Sequence, residues 1–318
     1  MMNRHIPVLV GPTASGKTEV SLHLAKFLGG EILSADSRQI YRYLDIGTAK
    51  PTMQQRSQVP HHFIDIINPD QEYNAGTFGV EGRAVIDDLL ARKITPVIVG
   101  GSGLYIRSLI DGLFDGPPAD AEFRKLLEIR LEREGIEPLM DDLRRIDPDL
   151  ADEIDRTKPR RVIRALEVHH LTGTPLSRLH RENAPPITFV PLMFGIAWQR
   201  DDLYARIEQR CDAMLAQGLM NEVEELENRG YHSRAIALNT VGYAEVFDYR
   251  LGKISYEDMI RLFKQNSRRY AKRQLTWFRR DERIEWLDVS ESSSPLELAG
   301  KIAESFMEKV NRPGNFCR

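Results

Sequence analysis

Gly11-Pro12-Thr13-Ala14-Ser15-Gly16-Lys17-Thr18 follows the apolar run Ile6-Pro7-Val8-Leu9-Val10 and leads into a segment whose Val20, Leu22, Leu24, Ala25 and Leu28 include an apolar stripe. The eight residues satisfy G-x-x-x-x-G-K-[ST], and strand, glycine loop and helix come in the order a phosphate-binding loop requires. Glycines let backbone amides curl around phosphate oxygens, and the helix N-terminus adds its positive dipole end. Lys17 supplies a mobile charge and the Thr18 hydroxyl can ligate Mg²⁺.

Outward from this loop, Gly29-Gly30 ends the helix and a second strand, 31–35, finishes at Asp36. An amphipathic helix over about 77–93 precedes the run Thr95-Pro96-Val97-Ile98-Val99-Gly100-Gly101. Strands alternating with helices predict an α/β protein with a mainly parallel sheet. The pattern changes after Gly112. From Gly116-Pro117-Pro118 to Pro185-Pro186 only helical segments are evident, with Phe123, Leu126, Leu127 and Leu131 at helix spacing. A strand returns at 189–197, long helices occupy 201–278, a short strand 284–289 and a terminal helix 295–310, with 311–318 frayed. The expected architecture is a P-loop NTPase-like parallel sheet core, 1–114 and 187–318, with an all-helical domain, 115–186, inserted in it.

The 318 residues are 42% apolar, enough for one full core and a satellite, and the net charge of −3 leaves any nucleic-acid role to local patches. Cys211 and Cys317 form no C-x-x-C, which argues against a zinc ribbon or a disulfide framework and fits a reducing cytoplasm. No apolar run approaches the roughly 20 residues that span a bilayer, so a cytoplasmic protein without a membrane partner is expected.

The loop binds phosphates, but ATP hydrolysis does not follow. Triphosphatases hold Mg²⁺ with an acid closing a hydrophobic strand, and here that strand ends in Gly100-Gly101. Gly101-Ser102-Gly103 lacks the third glycine of a dinucleotide fingerprint, Ile106 standing there, and reads as a close backbone approach or a tight turn. Asp36 is different. Ligands gather beyond the carboxyl ends of strands in open α/β sheets, so it belongs near the phosphate loop, either as a helix cap or as an acceptor for a proton from a nucleophile.

The ordered set from Gly11 to Thr18, Ser34-Ala-Asp-Ser-Arg-Gln-Ile-Tyr41, Asp45-Ile-Gly-Thr-Ala-Lys-Pro51, Pro60-His-His-Phe-Ile-Asp65, Val99-Gly-Gly-Ser-Gly-Leu-Tyr105, Thr240-Val-Gly-Tyr243 and Lys272-Arg-Gln-Leu-Thr-Trp277 resembles that of bacterial tRNA dimethylallyltransferases. The resemblance implies transfer of a dimethylallyl group from dimethylallyl diphosphate to the exocyclic amine of the adenosine 3′ of the anticodon, releasing pyrophosphate. It implies Asp36 as base or acceptor for that amine, Ser102, where the family usually has threonine, as a polar contact beside it, and Arg206 as a pyrophosphate contact. Arg210, one helical turn on, is an alternative to Arg206. Gly11, Pro12, Thr13, Ala14, Ser15, Gly16, Lys17 and Thr18 would hold the donor, with Thr18 on Mg²⁺. The tRNA anticodon stem-loop would meet Asp36, Ser37, Arg38, Gln39, Ser102, Arg124, Arg160, Arg161, Val162, Ile163, Arg164, Lys272 and Arg273. A monomer is expected.

A buried donor can reach an adenine amine only if the base is unstacked, so the chain needs phosphate contacts and a stacking surface. Arg160 and Arg164 share a helix face, and the stretch 261–280 carries eight Lys and Arg residues without one acid, interleaved with Tyr270, Trp277 and Phe278. Without nearby acids these charges should stay unneutralised. Individually the aromatics read as core, as do Met259, Leu262 and Phe263. The adjacent pairs His61-His62 and His169-His170 point apart on any regular element, which argues against a metal site. Competing readings are a small-molecule kinase, a prenyltransferase for free adenine nucleotides, and a non-catalytic RNA-binding module. The intact Lys17, Thr18 and Asp36 oppose the last.

Overall fold

The computed structural model of the chain describes residues 4–112, 116–117, 119–182, 186–233 and 235–311, and the expected fraying beyond Asn311 lies outside them. In order the elements are β1 (His5–Val10), α1 (Lys17–Phe27), β2 (Gly30–Ser34), α2 (Met53–Gln58), β3 (His61–His62), α3 (Ala75–Ala91), β4 (Thr95–Gly100) and α4 (Gly103–Arg107), which runs into a π turn at Ser108–Gly112. Five helices follow: α5 (Ala121–Glu134), α6 (Glu137–Ile146), α7 (Pro148–Glu153), α8 (Pro159–Thr172) and α9 (Leu176–Glu182). The remainder is β5 (Val190–Trp198), α10 (Arg200–Ala216), α11 (Leu219–Asn228), α12 (Tyr243–Arg250), α13 (Tyr256–Phe278), β6 (Ile284–Val289) and α14 (Pro295–Asn311).

The strands form one sheet in the order β3-β2-β4-β1-β5-β6, every pairing parallel. A parallel sheet covered on both faces calls for unbroken apolar strands, and all six residues of β1 are buried. Pro7 is tolerated in this central strand because the ladder to β4 begins only at Val8. Leu9, Ile32, Val97, Phe194 and Ile196 of the sheet pack with Leu24 of α1 and with Leu298, Ile302 and Phe306 of α14. Because β2, β4 and β1 are neighbours, the loops leaving their carboxyl ends, which begin at Ala35, Gly101 and Gly11, come together. The two-residue β3 was invisible in the sequence, where His61-His62 offers neither alternation nor an apolar run.

The chain divides into two compact units, one of residues 1–74, 80–106 and 188–318, the other of 75–79 and 107–187. The second unit therefore starts at Arg107 and takes in 75–79, where the sequence suggested 115. Its core is Leu127, Leu139, Met140, Leu143, Val162, Ile163 and Leu166. Inside it Glu167, with no exposed side-chain surface, pairs with Arg124 at 2.9 Å and Arg164 at 2.8 Å and accepts the Asp120 amide. Burial alone would raise its carboxyl, and the two guanidinium groups hold it below the usual value.

In the first unit a second carboxylate fixes the loop after β2. Glu222 of α11 accepts the amides of Asp45, Ile46 and Gly47 at 3.0, 2.7 and 3.2 Å, and the Tyr243 hydroxyl. Gly47 is required there, since a Cβ would lie 2.5 Å from the Tyr243 ring. The buried Lys50 ammonium bonds Asp45 and Asp65 at 2.6 Å each and the Tyr41 carbonyl at 2.8 Å. Glu222→Ala leaves three amides without an acceptor and should destabilise the protein by about 2–4 kcal/mol in chemical denaturation, with Glu222→Gln recovering part.

Candidate active site

The phosphate loop is shaped from outside. Gly16 takes φ +89° at the N-cap of α1, a left-handed conformation that glycine adopts without strain. Arg206 Nε donates to the Ala14 carbonyl at 3.0 Å, its guanidinium lying 4.2 Å over the Trp198 ring, and Trp198 Nε1 donates to the Ser15 carbonyl at 3.0 Å. Loop carbonyls are thus taken up by the protein, whereas the amides of Ala14, Gly16, Lys17 and Thr18 make no hydrogen bond among the described residues. Those are the donors an anion needs.

A cleft open to solvent spreads from this loop. Thr13, Lys17, Thr18, Asp36, Arg38, Arg210, Tyr270 and Gln274 supply much of its polar lining; Ile207, Cys211, Met214, Val241 and Phe263 are among its apolar residues. Among the described residues Lys17 Nζ bonds only loop atoms, the Pro12 carbonyl at 2.5 Å and Ser15 Oγ at 3.3 Å. Burial and the Arg210 charge pull its ammonium down to about 7, against a weaker pull upward from Asp36. Burial likewise lowers Arg210, with Asp36 opposing. Three cations facing one carboxylate suit a polyanionic ligand.

The acceptor side is built by Asp36 and the β4 loop. Asp36 Oδ1 accepts the Arg38 and Gln39 amides at 2.8 and 3.4 Å, so it does cap a turn, yet it also lines the cavity beside Lys17 and Arg210. Ser102 Oγ accepts the Ser37 amide at 3.0 Å and donates to the Ser37 hydroxyl at 3.3 Å. Burial together with Asp36 pushes the Tyr270 phenol up to about 12. The glycines around Ser102 are close approaches to protein: a Cβ on Gly100 would meet the Ala35 carbonyl at 2.2 Å, and one on Gly103 the Trp277 ring at 2.2 Å.

Other residues singled out in the sequence are placed differently. Arg206 is not among the cavity-lining residues and braces the loop; Arg210 lines the cavity. Arg38 is tied to the Ile236 carbonyl at 2.9 Å, and Gln39 to Ser34 and the Thr48 and Ala49 carbonyls. Val162 and Ile163, 0% and 3% exposed, belong to the core cluster with Leu139 and Leu143, so their side chains offer no surface to an RNA. Arg124 and Arg164 are held on Glu167, while Arg160 and Arg161 are exposed. The basic stretch is partly neutralised, contrary to expectation, by Arg261–Asp258, Lys264–Asp212 and Arg268–Glu208 pairs. Arg269, Lys272, Arg273, Arg279 and Arg280 are exposed and have no carboxylate partner among the described residues. Sequence reasoning read Tyr270 as core and gave Gln274 no role. Helix spacing from Phe263 through Ser267, Tyr270 and Gln274 could have marked one face of α13. His61 bonds the Val59 carbonyl and His62 Glu31, and among the described residues no cluster of three or more His, Cys, Asp or Glu could hold a metal.

The IPP transferase family model matches residues 39–281, and an isopentenyl transferase model residues 4–71. The chain belongs to the IPP transferase family. It is 45% identical over 307 residues to the tRNA dimethylallyltransferase of Pelotomaculum thermopropionicum, covering 95% of this chain and 96% of the relative. With that of Geobacillus thermodenitrificans identity is 44%, covering 96% of each. The full-length tRNA isopentenylpyrophosphate transferase of Bacillus halodurans superposes with TM-score 0.70 at 39% identity over 96% of this chain and 98% of that one. A eukaryotic dimethylallyltransferase acting on tRNA superposes with TM-score 0.80 at 27% identity, over 98% and 81%.

A diphosphate seated on the phosphate loop would make its affinity depend on pH through Lys17. A bound diphosphate favours the ammonium, so above about pH 7 binding takes up a proton and affinity falls as pH rises, by up to about tenfold per unit, whereas below it Lys17 is already charged. Calorimetric titration with inorganic diphosphate from pH 6 to 8.5 should show this slope in the wild type in excess of that in Lys17→Met, which isolates Lys17 from the ligand's own titration.

Proposed function

We propose that this IPP transferase moves a dimethylallyl group from dimethylallyl diphosphate to the exocyclic amine of the adenosine 3′ of the anticodon in tRNA. The observation that carries the reading is the juxtaposition, in one cavity, of an amide-lined cationic loop and an oriented carboxylate, Asp36, with Ser102 beside it. An adenine amine is a weak nucleophile. Asp36 accepts its hydrogen bond, the nitrogen attacks the first carbon of the dimethylallyl group, the carbon–oxygen bond to diphosphate breaks, and the amine proton passes to Asp36. Diphosphate leaves with its electron pair into the field of the loop amides, Lys17 and Arg210, and Arg206 keeps the loop in shape. A kinase would need ATP turnover with a small acceptor, and nothing in the cavity favours that over a prenyl donor, whose tail the apolar lining suits.

Mg²⁺ fits the residues present. The Thr18 hydroxyl lines the cavity, and such an ion takes most of its ligands from diphosphate oxygens and water, so it needs no carboxylate cage. Bound there it would supply charge neutralisation for the leaving group. For tRNA, the exposed Arg160 and Arg161 of α8 and the unpaired Lys272 and Arg273 of α13 provide phosphate contacts. Among the described residues no helix is long and apolar enough to cross a membrane. One chain supplies every proposed contact, so a monomer in the cytoplasm suffices.

Incubation with dimethylallyl diphosphate, Mg²⁺ and unmodified tRNA, followed by nucleoside mass spectrometry, should show a prenyl increment on adenosine. Asp36→Asn should fold and bind both substrates yet turn over at least ~100-fold more slowly in single-turnover assays, the loss expected for a general base. Arg161→Ala and Lys272→Ala should each reduce the slope of log affinity against log salt for an anticodon stem-loop by about 0.7–0.9, leaving diphosphate binding intact.

A further inference from the structure

Gln274 of α13, 7% exposed, reaches two loops at once. Its Oε1 accepts the Thr13 amide at 2.8 Å, and its Nε2 donates to the Gly101 carbonyl at 2.9 Å. The orientation of the amide is fixed by its partners: the Thr13 amide can only donate and the Gly101 carbonyl only accept. Thr13 belongs to the loop assigned to the donor, and Gly101 precedes Ser102 on the acceptor side.

We propose that Gln274 is a positioning residue that sets the spacing between the donor's reacting carbon and the adenosine amine by joining the two loops through one rigid amide. This rests on the function proposed above. Helix α13 meets the β4 loop through Gln274 on Gly101 and Trp277 on Gly103, and Gln274 also holds the phosphate loop. Gly101 is shaped to admit it, since a Cβ there would stand 2.3 Å from Gln274 Nε2. Asparagine is one methylene too short to span both loops from α13. Glutamate keeps the Thr13 contact but turns an oxygen toward the Gly101 carbonyl. Methionine fills the volume and makes neither bond.

The test uses full-length Gln274→Met, Gln274→Glu and, as a perturbation from the opposite side, Gly101→Ala. For each, affinity for inorganic diphosphate, affinity for an anticodon stem-loop and the single-turnover rate with both substrates saturating are measured. The account expects each variant to bind both ligands within about threefold of wild type while the rate falls roughly 100-fold, the effect of misplacing two reactants by about 1 Å. Unchanged rates overturn it. So does a loss of diphosphate or RNA affinity that accounts for the lost rate, or a failure of all three variants to fold, either of which makes Gln274 a local support. A wild-type chain that transfers no prenyl group to tRNA would instead overturn the proposed function.

Discussion

An ammonium in a cavity with no carboxylate within ion-pairing distance is a costly arrangement, and among the described residues Lys17 is held that way by the geometry of its own loop. Its nearest partners are a carbonyl and a hydroxyl of the loop, and Arg210 adds a like charge. Much of the surrounding structure follows from this constraint. Trp198 and Arg206 take the loop carbonyls, four loop amides have no partner among the described residues, and parallel β1 delivers the loop where β4 and β2 bring Ser102 and Asp36. A diphosphate on the loop would relieve that cost and so link binding to protonation.

The surrounding motifs are scaffold more than chemistry. Gly47, Lys50 and Asp65, and Tyr243 from a distant helix, form a network around Glu222 and Lys50 that fixes the segment after Asp36. Gly100 and Gly103 are glycines because a carbonyl and an indole ring occupy the space a Cβ would take. A run of specific residues in sequence thus marks a closely packed wall, with Asp36 facing the cavity it bounds.

What could be read from the sequence is what depends on neighbours in the chain. The phosphate loop is legible because eight consecutive residues make it, and Asp36 because strand ends in parallel sheets share one side. What could not be read depends on partners far away. Arg206 and Arg210 lie one turn apart on α10, and only the loop's path decides that the first braces and the second lines the cavity. The Glu167 and Pro117 partners of Arg164 were not legible, nor were Glu208 and Asp212 of α10, which pair with the acid-free stretch 261–280. Val162 and Ile163 sit beside exposed arginines in sequence but face the opposite side of α8. Gln274 acts across separations of 173 and 261 residues, which no local pattern encodes.

The central claim is spatial: one cavity holds the leaving diphosphate on the phosphate loop and the attacking amine on Asp36. A crystal structure of the chain with a non-reactive thiodiphosphate analogue of the donor and an anticodon stem-loop tests it most directly. The account predicts diphosphate oxygens on the amides of Ala14, Gly16, Lys17 and Thr18 and on Lys17 Nζ, with the adenosine amine about 3 Å from an Asp36 carboxylate oxygen. A diphosphate seated away from the loop, or an adenosine amine that meets other groups while Asp36 merely caps its turn, would contradict it.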